Sequence, residues 1–272
     1  HKFNVGGHEG YINVGLYPDV VFQTIETAVI LMNSEGLGLS GAPVQYYASG
    51  WKSMGITDDC GTVKMELLGG NYHFRVTYAG YTQQKSNVDN RLMNPVTFYT
   101  TYTTQKVTVK LVDSNDDPIG TGAIVKYYAS GWKDFGTTDV NGEAKMELLP
   151  GNYHFRLTYE GYTQQKSNIA VGPGSVIVFK TTLVTVELRD SGGSYITTGA
   201  DAKYYASGWK TFGNTGAAGM VTKELLPGNY HFRLTYEGYT QQQSNINVGT
   251  TSTVTFTTKE VKVELNDSGG AY

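Results

Sequence analysis

Cysteine is nearly absent from this chain. Cys60 stands alone among 272 residues, so no disulfide can form within the chain, and rigidity has to come from packing. Charge is also scarce. Lys, Arg, Asp and Glu make up 17% of the residues, with a net charge of -3, against about a quarter charged in ordinary soluble domains. That excludes the basic field that nucleic-acid binding needs and leaves no strongly acidic tail. No run of about 18 apolar residues occurs, so no helical membrane span is expected. No basic stretch followed by an apolar one opens the chain, so no secretion leader is visible. Helical periodicity is not sustained anywhere. The marks of catalysis are missing too: no nucleophile elbow, no His-x-x-x-His pair, no glycine-rich phosphate loop after a strand. The chain therefore reads as a non-enzyme, with no catalytic residue, cofactor or metal site expected.

What is present is glycine, tyrosine, threonine and valine, with 34 Gly and 21 Tyr, arranged as an internal repeat. Tyr127 to Ile169 matches Tyr204 to Ile246 at 33 of 43 positions, without a break from Glu147 to Gln165. A third copy starts at Tyr46. Tyr-Tyr-Ala-Ser-Gly-Trp recurs at Tyr46, Tyr127 and Tyr204, and Asn-Tyr-His-Phe-Arg recurs at Asn71, Asn152 and Asn229. His1 through Thr24 aligns loosely with the second half of a unit, His154 to Thr181. Val261 to Tyr272 aligns with the opening of one. The expected organisation is therefore 1–24 as the second half of a preceding repeat, then units 25–104, 105–181 and 182–258, then 259–272 as the first strand of a following repeat. Such ends predict a window on a longer chain; the alternative is that the half-units complement each other between neighbouring subunits.

Within a unit the apolar period is two. Val107 to Asp113 alternates as a half-buried strand does. Ser114 to Gly120 is a turn rich in Asp, Asn, Pro and Gly. Ala123 to Tyr128 is a second strand, Gly136 to Gly142 a turn, Ala144 to Leu148 a short strand and Pro150-Gly151 another turn. Tyr153 to Tyr159 is the clearest strand, with Tyr153, Phe155, Leu157 and Tyr159 on one face and His154, Arg156 and Thr158 on the other. A polar strand or loop runs to Asn168, and Val176 to Thr181 closes the unit. About seven short strands at this turn spacing predict an all-β fold: tandem Ig-like or prealbumin-like seven-stranded β-sandwiches in an extended array. Thr181-Thr182-Leu183 runs straight into Val184, so linkers are nearly absent and the array should be stiff.

Gly122-Ala123-Ile124-Val125, Thr138-Asp139-Val140-Asn141-Gly142, Leu148-Leu149-Pro150-Gly151-Asn152-Tyr153 and Gly161-Tyr162 together resemble the carboxypeptidase regulatory-like and Cna B-type group. The resemblance covers each whole unit. It implies prealbumin-like sandwiches in tandem in bacterial surface proteins, acting as stalks and spacers that carry adhesive tips or build fibres. The first unit departs from the pattern with Gly69-Gly70 for Pro-Gly, and the third with Gly216-Ala217-Ala218-Gly219 for Asp-x-Asn-Gly. Some members of the group carry a Lys–Asn isopeptide crosslink. Lys110 lies where that bond would start, but Ile30, Glu187 and Glu264 occupy the matching positions. The closing strands Val176 to Thr181 and Val254 to Thr258 hold no Asn or Asp.

Several recurring residues form a candidate contact surface: Trp51, Trp132 and Trp209; His73, His154 and His231; and Gln164, Gln165, Gln241 and Gln242. Tyr and Trp beside amides can stack on sugar rings, and they also suit protein contacts, because they bury much area at low entropy cost. Core packing, contact with neighbouring units or chains, and glycan binding all remain open for them. The histidines lie in different units and have no Cys, Asp or second His at ligand spacing, so they read as strand residues copied with the unit. Asp113-Ser114-Asn115-Asp116-Asp117 spaces oxygens like a calcium loop but lacks its Gly and late Glu, and reads as a turn. The functional expectation is a structural extracellular repeat protein forming a stalk, fibre or filament on a microbial surface. Self-association through neighbouring repeats or copies of the chain goes with it. The alternative is an adhesin that holds glycans or partner proteins at many weak sites.

Overall fold

The structure is a computed structural model that describes residues 2–5, 8–11, 23–91 and 97–265. It is all-β. Among the described residues the only helix is a single 3-10 turn, Gly216–Ala218. Residues 24–257 form three tandem sandwiches of seven strands, each with a three-stranded and a four-stranded sheet.

In the second unit, strand Gln105–Val112 lies between Glu143–Leu148, antiparallel to it, and Val176–Lys180, parallel to it. The facing sheet is antiparallel and orders Trp132–Thr137, Ile124–Tyr128, Gly151–Tyr159 and Tyr162–Val171. The first unit repeats this with Thr24–Met32 between Thr62–Leu68 and Thr97–Thr103. The third does so with Thr182–Arg189 between Met220–Leu225 and Thr253–Thr257. Near the start of the chain, Lys2–Val5 pairs antiparallel with His8–Tyr11; the rest of the half-unit expected over 1–24 lies outside the described residues, apart from Gln23 and Thr24. Residues 259–265 form no strand, and the remainder of the strand expected over 259–272 is outside the described residues.

The core follows from alternation. Val107, Val109 and Leu111 point inward from one sheet, and Val125, Tyr127, Tyr153, Phe155 and Leu157 from the other, into one apolar cluster. Each such side chain contributes roughly 1.5–3 kcal/mol when buried. One segment differs from the sequence expectation, and another takes the strand alternative of the two it allowed. Trp132–Thr137 is a strand, where no strand was expected before the turn at Gly136. Its alternation is concealed because the ladder slips between Val125 and Lys126, a bulge that shifts one partner by a residue. The polar stretch after Gly161 is a full edge strand, Tyr162–Val171. Its outer face is polar, as an unpaired edge should be, and Asn168 takes a left-handed φ of 60° where the register slips.

Lys110 is held ionically by Glu143 at 2.5 Å. In the third unit the equivalent residue is Glu187, buried against its sheet. It accepts hydrogen bonds from Arg189 Nε at 2.8 Å, Thr255 Oγ1 at 2.6 Å and Tyr195 Oη at 3.1 Å. These donors, Arg189 foremost, outweigh the opposing effect of burial and hold its carboxyl down to about 2, against an ordinary 4.5. A carboxylate depressed by folding contributes its full stabilisation above the ordinary value and loses it as pH falls through the folded one. The third unit should therefore weaken between about pH 4.5 and 2, and Glu187→Gln should flatten that part of the curve. Denaturation followed against pH for both chains checks this.

Candidate functional site

The outer face of each four-stranded sheet carries one repeated row. In the second unit Tyr127 points into the core and Tyr128 outward. Trp132, directly opposite in register, meets the Tyr128 ring edge-on at 5.6 Å, and His154 meets it at 5.8 Å. Arg156 lies 3.9 Å over the Trp132 ring, and its Nε donates to Gln165 Oε1 at 2.9 Å. Gln165 Nε2 in turn donates to Ser167. Tyr205, Trp209, His231, Arg233 and Gln242 repeat this in the third unit. In the first unit Tyr47, Trp51, His73 and Arg75 do so, with Gln45 taking the arginine. A guanidinium over an indole at a surface contributes about 0.5–1 kcal/mol.

The structure thus gathers the three Trp, the three His, Gln165 and Gln242 into rows. It leaves out Gln164 and Gln241, which pair in register with Leu157 and Leu234 and so sit on the opposite side of their strand. The histidines are half-buried rather than freely exposed, because a tyrosine edge covers each. Nδ1 of His154 accepts from the Asn168 amide at 3.3 Å, whereas Nδ1 of His73 and of His231 is buried with no hydrogen-bond partner. Tyr128 and Arg156 and their counterparts complete the rows. Their signal was the fixed spacing of the Tyr-Tyr-Ala-Ser-Gly-Trp and Asn-Tyr-His-Phe-Arg motifs. Among the described residues no group of three His, Cys, Asp or Glu is placed to hold a metal. Asp113 Oδ1 is occupied by the Asn115 and Asp117 amides, as a turn residue's is. Cys60 is exposed at its turn.

A second recurring arrangement joins the units, and the sequence reading did not find it. One residue, Thr104 or Thr181, separates the last strand of one unit from the first strand of the next. The Glu-Leu-Leu-Pro-Gly turn of each later unit reaches back into its predecessor. Leu149 of the second unit belongs to the core of the first, and Leu226 of the third to the core of the second; both are fully buried. Tyr81 packs on Tyr153 with ring centres 4.9 Å apart, and Tyr162 on Tyr230 at 4.7 Å.

Only glycine fits beneath those rings. A Cβ on Gly151 would lie 2.3 Å from the Tyr81 hydroxyl, and one on Gly228 would lie 2.0 Å from that of Tyr162. Beside each plug a carboxylate closes the seam. Glu147 accepts from Ser34 Oγ and Thr104 Oγ1, both at 2.5 Å. Glu224 accepts from Ser114 Oγ at 2.6 Å and Thr181 Oγ1 at 2.5 Å. Hydrogen bonds to an ionised acceptor are about twice as strong as neutral ones.

The far side of each joint is a two-residue hairpin with both central φ positive: Ala79-Gly80 at the first joint and Glu160-Gly161 at the second. This is the turn that matches strand twist, although a non-glycine residue there costs about 1–2 kcal/mol. Its carbonyls are used by the next unit. Tyr127 Oη donates to Ala79 O at 2.9 Å, and Tyr204 Oη to Glu160 O at 3.1 Å and to the Glu160 carboxylate at 2.8 Å. Burial raises the phenols of Tyr153, Tyr204 and Tyr230 far above their ordinary range, so they remain neutral donors at physiological pH.

No family model matches the chain, and no curated protein does. Among solved structures the chain is similar to the TIE protein of Bacillus anthracis, at 17% identity and a TM-score of 0.25, covering 88% of this chain and 51% of that one. The chain thus spans about half the length of the TIE protein chain. It is also similar to BcpA, the major pilin subunit of Bacillus cereus, at 13% identity and a TM-score of 0.25, covering 87% of this chain and 99% of that one. GBS52, the minor pilin of Streptococcus agalactiae, matches at 12% identity and a TM-score of 0.32, covering 57% and 94%. Likenesses at these scores carry no argument about function, and the fold stands on the chain's own sheets.

Proposed function

We propose that this chain is a structural segment of an extracellular stalk, fibre or filament on a microbial surface, with units at 25–104, 105–181 and 182–258, and that it performs no chemistry. The supporting observation is the joint. A single residue separates consecutive sandwiches, and a leucine of each later unit completes the core of the one before. Units linked this way resist bending, because rotation at the joint would expose a buried leucine and leave a carboxylate without its hydroxyl donors. Among the described residues no helix is long and apolar enough to cross a membrane.

Electron microscopy of native surface material labelled with an antibody to this chain tests the reading. Labelled straight fibres or stalks support it. Label confined to flexible, unassembled chains would refute it.

The exposed Tyr–Trp–Arg–Gln row supports a second reading, a multivalent adhesin. Stacked rings beside amide and guanidinium donors can hold sugars weakly, and three copies on one chain gain by avidity. On a glycan array, selective binding that falls at least tenfold in Trp132→Ala would favour it. Trp132 lies on the outer face, so that variant should cost the fold no more than about 1 kcal/mol.

A further inference from the structure

In every unit the first strand and the last lie side by side and run the same way. Residues 26–32 pair with 97–103 in the first unit, 108–112 with 176–180 in the second, and 185–189 with 253–257 in the third. A threonine just past the last strand extends each ladder. Thr104 N–H donates to Met32 O at 2.9 Å, Thr181 N–H to Val112 O at 3.0 Å and Thr258 N–H to Arg189 O at 2.9 Å. At the other end Thr108 N–H donates to Ser175 O at 3.0 Å, and Thr185 N–H to Ser252 O at 2.8 Å.

This topology decides what a pull does. One residue joins consecutive units, so tension enters a unit at the start of its first strand and leaves at the end of its last. Because the two strands are parallel, those points lie at opposite ends of one ladder. The pull slides one strand along the other and loads the evenly spaced rungs together. Antiparallel neighbours joined in the same way would be pulled from one end and opened rung by rung. No disulfide can share the load, since Cys60 is the chain's single cysteine.

The ladders are not equal. The first pairs seven residues of each strand, the second and third five. Side chains also tie the first and third across. Glu26 accepts from Thr97 Oγ1 at 3.1 Å, and Glu187 from Thr255 Oγ1 at 2.6 Å. In the second unit the rung of Glu187 is Lys110 opposite Val178. Valine offers no hydrogen-bonding group, and Lys110 turns to Glu143 on the other neighbouring strand. Tyr102 Oη further ties the first unit's last strand to Phe74 O in the facing sheet at 2.7 Å. Phe179, which has no hydroxyl, takes that place in the second.

We propose that each sandwich is a tension-bearing clamp, its first and last strands carrying the load in shear, and that the second unit yields first. This rests on the fibre reading and adds to it the load that the fibre or stalk bears and the bonds that bear it.

The experiment is single-molecule pulling of the full chain in a Cys60→Ser background, through handles on pairs of surface cysteines. Lys106→Cys with Lys180→Cys pulls the second unit along its ladder, and Lys106→Cys with Val176→Cys pulls the same ladder open from one end. All three side chains are exposed, and each variant is checked for an unchanged circular dichroism spectrum. Unfolding between either pair releases about 20–25 nm of chain, which identifies the event. The rupture force should be at least twofold higher along the ladder than from its end. Leu183→Cys with Thr257→Cys or with Thr253→Cys repeats the comparison in the third unit, so the test survives a handle that disturbs the second. Pulled lengthwise, through Thr24→Cys with Thr103→Cys in the first, both outer units should outlast the second. Thr255→Val should lower the force of the third towards that of the second. Equal forces in the two directions would overturn the clamp, while labelled straight fibres in native material would leave the fibre reading standing. A second unit that outlasts the other two would overturn the order of yielding. Strong resistance along the ladder in a chain found only unassembled on native cells would defeat the fibre reading alone.

Discussion

Leu226→Ala is expected to uncouple the second and third units. Leu226 is fully buried, and it is buried in the core of the unit before its own. Truncating a buried leucine costs about 2–5 kcal/mol, because the lost transfer energy is joined by the cavity left behind. Here the loss falls on the coupling between sandwiches, since the third unit's own inward residues, Val186, Tyr230, Phe232 and Leu234 among them, are untouched. Calorimetry should show one cooperative transition in the parent chain separating into two. Leu149→Ala should do the same at the first joint. The control is Leu225→Ala, one residue earlier, which faces the third unit's own core. It should lower that unit's stability and leave the coupling in place.

The second large effect is expected from the smallest addition. Gly228→Ala places a methyl 2.0 Å from the Tyr162 hydroxyl and 2.2 Å from its ring carbon, so the ring must leave its stack on Tyr230. Overpacking of this kind costs about 1–3 kcal/mol. The cause can be isolated by a cycle, because the clash needs both groups. In a Tyr162→Ala background the same methyl should cost almost nothing, so the two substitutions should be non-additive by most of that amount. Equal losses in both backgrounds, read from urea denaturation, would place the fault in the turn and not in the joint. Gly151→Ala with Tyr81→Ala repeats the test at the first joint, where the Cβ would sit 2.3 Å from the ring.

The sandwich was legible in the sequence because its signal is local. Tyr153, Phe155 and Leu157 alternate with His154, Arg156 and Thr158, and a period of two admits one reading over such a stretch. The exposed row was partly legible for the same reason: Trp132, His154 and Gln165 recur at fixed spacing, and strand pairing brings them together. Gln164 lies off the row because adjacent residues of a strand face opposite ways, and polarity alone cannot say which of two glutamines shares a face with Trp132 on an edge strand. The strand Trp132–Thr137 was hidden by a bulge.

The joint left no local mark at all. Leu148 and Leu149 look equivalent in the sequence; the first fills its own unit's core and the second its neighbour's. Glu147 meets Ser34 across 113 positions of sequence, and nothing at either residue signals the other. The unbroken identity of the segment around Glu147 and Glu224 was visible, but it fits recent duplication equally well. Only the placement of one sandwich on the next shows what that identity holds together.

Whether the units form one continuous, stiff body through these plugs can be read from small-angle X-ray scattering of the full chain beside a Leu149→Asp, Leu226→Asp double variant. The parent should fit a single arrangement of its three sandwiches, with a sharply bounded pair-distance distribution, and the double variant should broaden to an ensemble while each sandwich keeps its circular dichroism. A parent chain that already needs a broad ensemble, indistinguishable from the double variant, would contradict a single stiff body.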